Sequence, residues 1–159
     1  MSAGTLDELD SALDSFDTRI SKQEAEASKL RSDHKAHVSE FENIRAAVIR
    51  PVFEKIGKHM ESRGHSFRIT EEERHGNHGA SITIEIIPKG YTPDGVNNNH
   101  PSLGYYSGKI GDEKISTHIR DLMPQKGGSI GWGASHSTQN FTGSVVEKEL
   151  TQLLVKCFS

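Results

Sequence analysis

From Leu6 to Val48 the apolar positions follow a seven-residue count that never slips. Leu6, Leu13, Ile20, Ala27, His34, Phe41 and Val48 form one series, and Leu9, Phe16, Gln23, Leu30, His37 and Ile44 form a second, three places later. They are the a and d positions of a heptad carried through about six repeats, where three or four suffice to read a coiled coil. The flanks agree. Arg19–Glu24, Glu26–Arg31 and Glu40–Arg45 set opposite charges at a g position and the following e position, the pairing that joins two parallel helices. No Gly or Pro interrupts Thr5 to Arg50, and Thr5-Leu6-Asp7-Glu8 has the form of a capping box. The spacing therefore predicts residues 1–50 as one helix, a rod on the order of 65 Å long. It is expected to pair with copies of itself through Leu6, Leu9, Leu13, Phe16, Ile20, Leu30, Phe41 and Ile44. Two strands are expected, with three as the alternative, because the mixture of residues at a does not select cleanly between them.

Pro51 falls on the next d position, where it is expected to stop the seam and open a second helix. Val52, Phe53, Ile56 and Met60 give that helix an apolar stripe, and Gly64 is placed to end it. From His65 the period changes to two. Phe67 and Ile69 mark a first strand; Ile82, Ile84 and Ile86 form the strongest buried face of the chain. Residues 89–102, rich in Asn, Gly and Pro, read as a long surface loop. Strands at 103–109 and 114–122 bracket Gly111-Asp112, and Ile130 with Trp132 suggests a short fifth. Ser144 to Glu147 reads as a second capping box, opening a last helix with Val146, Leu150, Leu153, Leu154 and Cys157 on one side. Residues 51–159 are thus an α+β head: an antiparallel meander of about five strands with two helices on one face.

Charge narrows the function classes. Residues 1–50 carry seven Lys/Arg against ten Asp/Glu, and residues 51–159 carry twelve of each, for a net charge of −3. Neither part has the basic footprint of a nucleic-acid binder. No apolar run has the length of a membrane span, and an acidic start without an apolar core is not that of a secretion signal. Cytoplasmic residence is the expectation. Cys157 is the single cysteine, so it has no intramolecular disulfide partner, and its apolar setting predicts a buried thiol rather than a nucleophile.

Nine histidines invite a metal reading. His34 and His37 lie on the seam, where a parallel pair would gather imidazoles able to hold zinc. The competing reading is a polar break that fixes register, and burial of the rings would weaken association on acidification. His75 and His78 form His-x-x-His in a glycine-containing turn, without the Cys or Glu-x-x-His pattern of an established site. No cofactor is expected, zinc being the one candidate. Lys126 to Gly133 lacks the Gly-Lys-Ser/Thr ending of a phosphate loop, and its alternate glycines opposite Ile130 and Trp132 favour close packing.

The richer surface is the sheet face away from the isoleucines. There Arg68, Tyr106, His118 and Arg120 offer hydrogen bonds and guanidinium clamps for a protein partner. No nucleophile, base and orienting group fall in a recognisable motif. The expectation is a non-enzymatic oligomeric scaffold, a coiled coil presenting several heads to a partner. A metal-dependent or small-ligand enzyme using the head histidines is the alternative.

Overall fold

In the computed structural model, residues 3–73, 79–91, 99–124 and 126–159 are described. Helix α1 (Ala3–Ile44) continues through a π-helical turn (Arg45–Ile49) into helix α2 (Arg50–Ser62). Strands β1 (Ser66–Glu72), β2 (Ser81–Ile87), β3 (Ser102–Tyr106), β4 (Lys114–Arg120) and β5 (Ile130–Ser137) follow, and helix α3 (Gly143–Phe158) closes the chain. The strands lie in sequence order, each antiparallel to the next. The architecture is α+β, a five-stranded meander with helices on one face.

Several local details differ from the expectations. Pro51 does not separate two helices. The turn before it widens, with the Arg50 N–H reaching the Arg45 carbonyl five residues back. That wider turn relieves the clash between the pyrrolidine ring and the carbonyl of Ala47, so the helix passes through the proline. Helix α1 starts upstream of the Thr5 box, and α3 starts at Gly143 behind Thr142 rather than at a Ser144 cap. β3 ends at Tyr106, and β5 runs on to Ser137.

The core forms where the isoleucine face meets the helices. Ile82, Ile84 and Ile86 join Leu103, Tyr105 and Ile115 beneath Phe53 of α2 and Val146, Leu150 and Leu154 of α3. Tyr105 stacks on Phe53 at 6.1 Å and meets Phe141 edge-on at 5.0 Å. Gly57 lets α2 approach β1 closely: a methyl group there would sit 2.6 Å from the Phe67 ring. Cys157 is buried, and that burial, with Asp121 nearby, raises its thiol pKa.

The end of α1 belongs to this core as well. Phe41 is fully buried, and Val38, Ile44 and Val48 pack against the same cluster. Arg45, expected to pair with Glu40 across a helix interface, turns inward instead. Its guanidinium donates to the carbonyls of Glu72 and Ser81 at 3.3 and 3.2 Å and to Glu73 Oε1 at 2.8 Å. His37 is buried too, its Nε2 donating to the carbonyl of Ser107. Farther out, Leu6, Leu9, Leu13, Phe16 and Leu30 are 44–51% exposed, and Ile20 is half-buried. The seam that a second helix can reach thus stops short of Phe41 and Ile44.

Candidate functional site

Strand register, not chain order, assembles the outer face of the sheet. One row across it reads Arg68, Glu85, Ser102, Arg120 and Ile130. The next reads Thr70, Thr83, Gly104, His118 and Trp132. Tyr106 lies one row farther, between Ser81 and Ser116. All of the expected contact residues, Arg68, Tyr106, His118 and Arg120, lie on this face.

Its centre is aromatic. The Trp132 ring meets Tyr106 at 5.1 Å and His118 at 5.0 Å, both edge to face, and Tyr106 stands 6.3 Å from His118. Such rings prefer this T-shaped arrangement because the positive edge of one meets the negative face of the other. Gly104 makes room beside them: a Cβ there would lie 3.1 Å from the Tyr106 ring and 2.7 Å from Thr83 Oγ1. Trp132 is 52% exposed and Ile130 58% exposed, so the cluster presents apolar surface outward.

A charged network borders the aromatic group. Arg68 donates to Glu85 Oε2 at 3.0 Å, and His100 Nδ1 lies 2.9 Å from Glu85 Oε1. Burial of Glu85 works against its ionisation, but the hydrogen bonds and charges of His100 and Arg68 outweigh it, leaving the carboxyl pKa below its ordinary value. The face therefore offers a fixed carboxylate, guanidinium groups and an aromatic platform side by side.

Sequence reasoning missed Trp132. Alternation placed Ile130 and Trp132 on one side of β5, but not on the side that also carries His118. The glycines opposite them divide: Gly133 is packed, with a Cβ there 2.9 Å from Ile119, whereas Gly131 has open space. Glu85 alternates with the buried isoleucines of β2, but its partner His100 lies in the long loop, which no local pattern brings back to β2.

The histidines occupy separate surroundings. His34 is half-buried, and its Nδ1 has no hydrogen-bond partner among the described residues; His37 is taken by Ser107. His75 and His78 lie outside the described residues, as do residues 92–98 of the long loop. His136 Nε2 stands 2.9 Å from Glu149 Oε1, at ion-pair distance but not aligned as a hydrogen bond, and the buried Tyr105 hydroxyl donates to the same oxygen at 2.9 Å. That group ties α3 to β3 and β5. Among the described residues, no group of three or more His, Cys, Asp or Glu is arranged to hold a metal ion. No described helix is long and apolar enough to cross a membrane.

No protein-family model matches this chain, and neither a curated protein nor a solved structure does.

Proposed function

We propose that this protein is a non-enzymatic, oligomeric interaction scaffold. Its α1 helices pair in parallel, as two strands or else three, and present the attached heads so that their outer sheet faces engage a partner protein. The observation that carries this reading is the bare apolar seam: in a single chain Leu6, Leu9, Leu13, Phe16 and Leu30 stay about half exposed, with the Arg19 guanidinium over the Phe16 ring. Holding such a stripe in water forfeits roughly 25 cal/mol for each Å² that a partner helix would cover. The aromatic cluster supports the second half of the reading, since exposed Trp and Tyr beside Arg are the residue types that dominate interface hot spots. Pairing heads on one shaft would raise avidity for a repeated partner. A lone, buried Cys157 suits a reducing compartment, and we place the protein in the cytoplasm.

Sedimentation of the full chain tests the assembly. The wild type is expected to sediment as a dimer or trimer and Leu9→Asp/Leu13→Asp as a monomer; a wild-type monomer at micromolar concentration would end the scaffold reading. The docking face is tested by capture from extract with wild-type and Trp132→Ala heads on intact shafts. The metal-dependent alternative rests on the head histidines, of which His75 and His78 lie outside the described residues; stoichiometric transition metal bound to the purified full chain would favour it over the scaffold.

A further inference from the structure

A second surface lies on the opposite side of the head. Helices α2 and α3 pack side by side on the sheet and leave a half-open groove of about 720 Å³ between them. Its apolar lining comes from Ile56 and Met60 of α2 and from Leu154, Val155 and Phe158 of α3. Val155 is 61% exposed, so this lining is partly uncovered. The ionisable residues along the groove are Lys55, His59, Arg63, His65 and Lys89, with no carboxylate among its lining residues. In a chain with more Asp and Glu than Lys and Arg, that segregation of charge is local and specific.

We infer that the groove binds an acidic amphipathic helix supplied by a partner protein. The apolar stripe of such a helix would lie on Met60, Leu154, Val155 and Phe158, with its carboxylates over the basic margins. Lys55 and the C-cap residue Arg63 are separated by roughly 12 Å along the axis of α2, at 1.5 Å per residue, which matches about two turns of a bound helix. The cations run along this length instead of gathering at one end, which suits carboxylates spaced along a helix better than the single head group of an amphiphile. Lys55 already reaches Glu147 at 3.4 Å, but that exposed pair holds it only weakly, and an incoming carboxylate can replace it. His65 meets Phe158 edge-on at 4.9 Å within the lining of the groove. Desolvation lowers its pKa, and the positive charges of Lys89 and Arg63 add to that lowering.

This site is separate from the shaft. The chain's own Leu6–Asp17 stretch is also acidic and amphipathic, but in the proposed assembly its apolar residues face the neighbouring helix. The probe is a labelled, end-capped helical peptide of about fourteen residues with Leu at i, i+3, i+4 and i+7 and Glu elsewhere. Its binding to the full chain is followed by fluorescence anisotropy. Arg63→Glu/Lys89→Glu and Val155→Asp, all at exposed positions, should each weaken binding about tenfold or more while helicity stays unchanged. Raising the salt should weaken it further. Equal binding of a peptide with the same composition but scrambled leucine spacing, or of one with Lys for Glu, would overturn the proposal. So would full affinity in both variants. If the peptide fails to bind, and Arg63→Glu/Lys89→Glu instead abolishes association between copies of the chain, the occupant is a second copy and the partner assignment falls. Leu9→Asp/Leu13→Asp, which dismantles the shaft, should leave peptide binding intact, so the two readings fail separately.

Discussion

Two stretches of α1 share one heptad pattern and meet opposite surroundings. Between Leu6 and Leu30 the a and d side chains are largely open to water; between His37 and Ile44 they are packed against the head core or directed at Ser107. The same spacing serves both because a heptad stripe states only that one side of a helix is apolar. What covers that side is decided elsewhere in the chain. The last turns meet a sheet with a triple-isoleucine face, and burial there is intramolecular. The outer turns leave their apolar side chains about half exposed, and the proposed pairing would cover them.

Cutting into each stretch separately is the sharpest way to break this comparison. Phe41→Ala removes a fully buried ring from the head core and should cost about 3–5 kcal/mol in chemical denaturation of the head. If Phe41→Ala weakened association and spared the head, the division of the helix would be wrong. Gly57→Ala should follow, at about 1–3 kcal/mol, because the new methyl group would be driven into the Phe67 ring. It probes whether the continuation of α1 really lies tight on β1. A loss well under 1 kcal/mol would mean that α2 can lift away.

Much of this division was beyond the reach of sequence. The change of period from seven to two at His65, the isoleucine alternation in β2 and the stripe of α3 are local signals, and the meander with its flanking helices follows from them. Phe41 and Ile44 carry the same signal as Leu13 and Ile20, so nothing local says that one pair is inside the head. Arg45 illustrates the difficulty: its spacing from Glu40 fits an interhelical pair, yet it is buried because the backbone around Glu72 and Ser81 offers it carbonyls. Tyr106, His118 and Arg120 were legible as outward residues by alternation. Their grouping with Trp132 was not, since it depends on the β4–β5 register, which shifts at a bulge between Ser116 and His118.

Acid should separate the two regions again, with a smaller effect. Asp121 accepts from Lys156 at 2.6 Å and from the backbone and hydroxyl of Ser129, tying α3 to the loop before β5. The Lys156 and Ser129 hydrogen bonds hold its carboxyl down to about 2. The unfolded value is about 3.9, so the contribution is complete above pH ~4 and is lost as pH falls toward the folded value. Partial solvent screening leaves about 1 kcal/mol at stake. Denaturation of the head between pH 5 and pH 2.5 should show the loss, and Asp121→Asn should remove that part of the pH dependence. Lys156 and Ser129 lie on α3 and just before β5, so Asp121→Asn should leave association unaffected.

The smallest effect on head stability is expected from Leu13→Ala, and that small effect is informative. Leu13 is half exposed and, among the described residues, lies outside the head's core cluster, so its truncation should change the head's unfolding free energy by no more than about 0.5 kcal/mol. In the proposed assembly the same side chain is a core a-position residue, counted once per strand, and its loss should lower association roughly tenfold or more. The two measurements use one variant and differ only in what is unfolded or dissociated. A stable head with weakened self-association places the covering surface on a second molecule. A weakened head would mean that the outer turns fold back onto it, and the contrast between the two stretches of α1 would disappear.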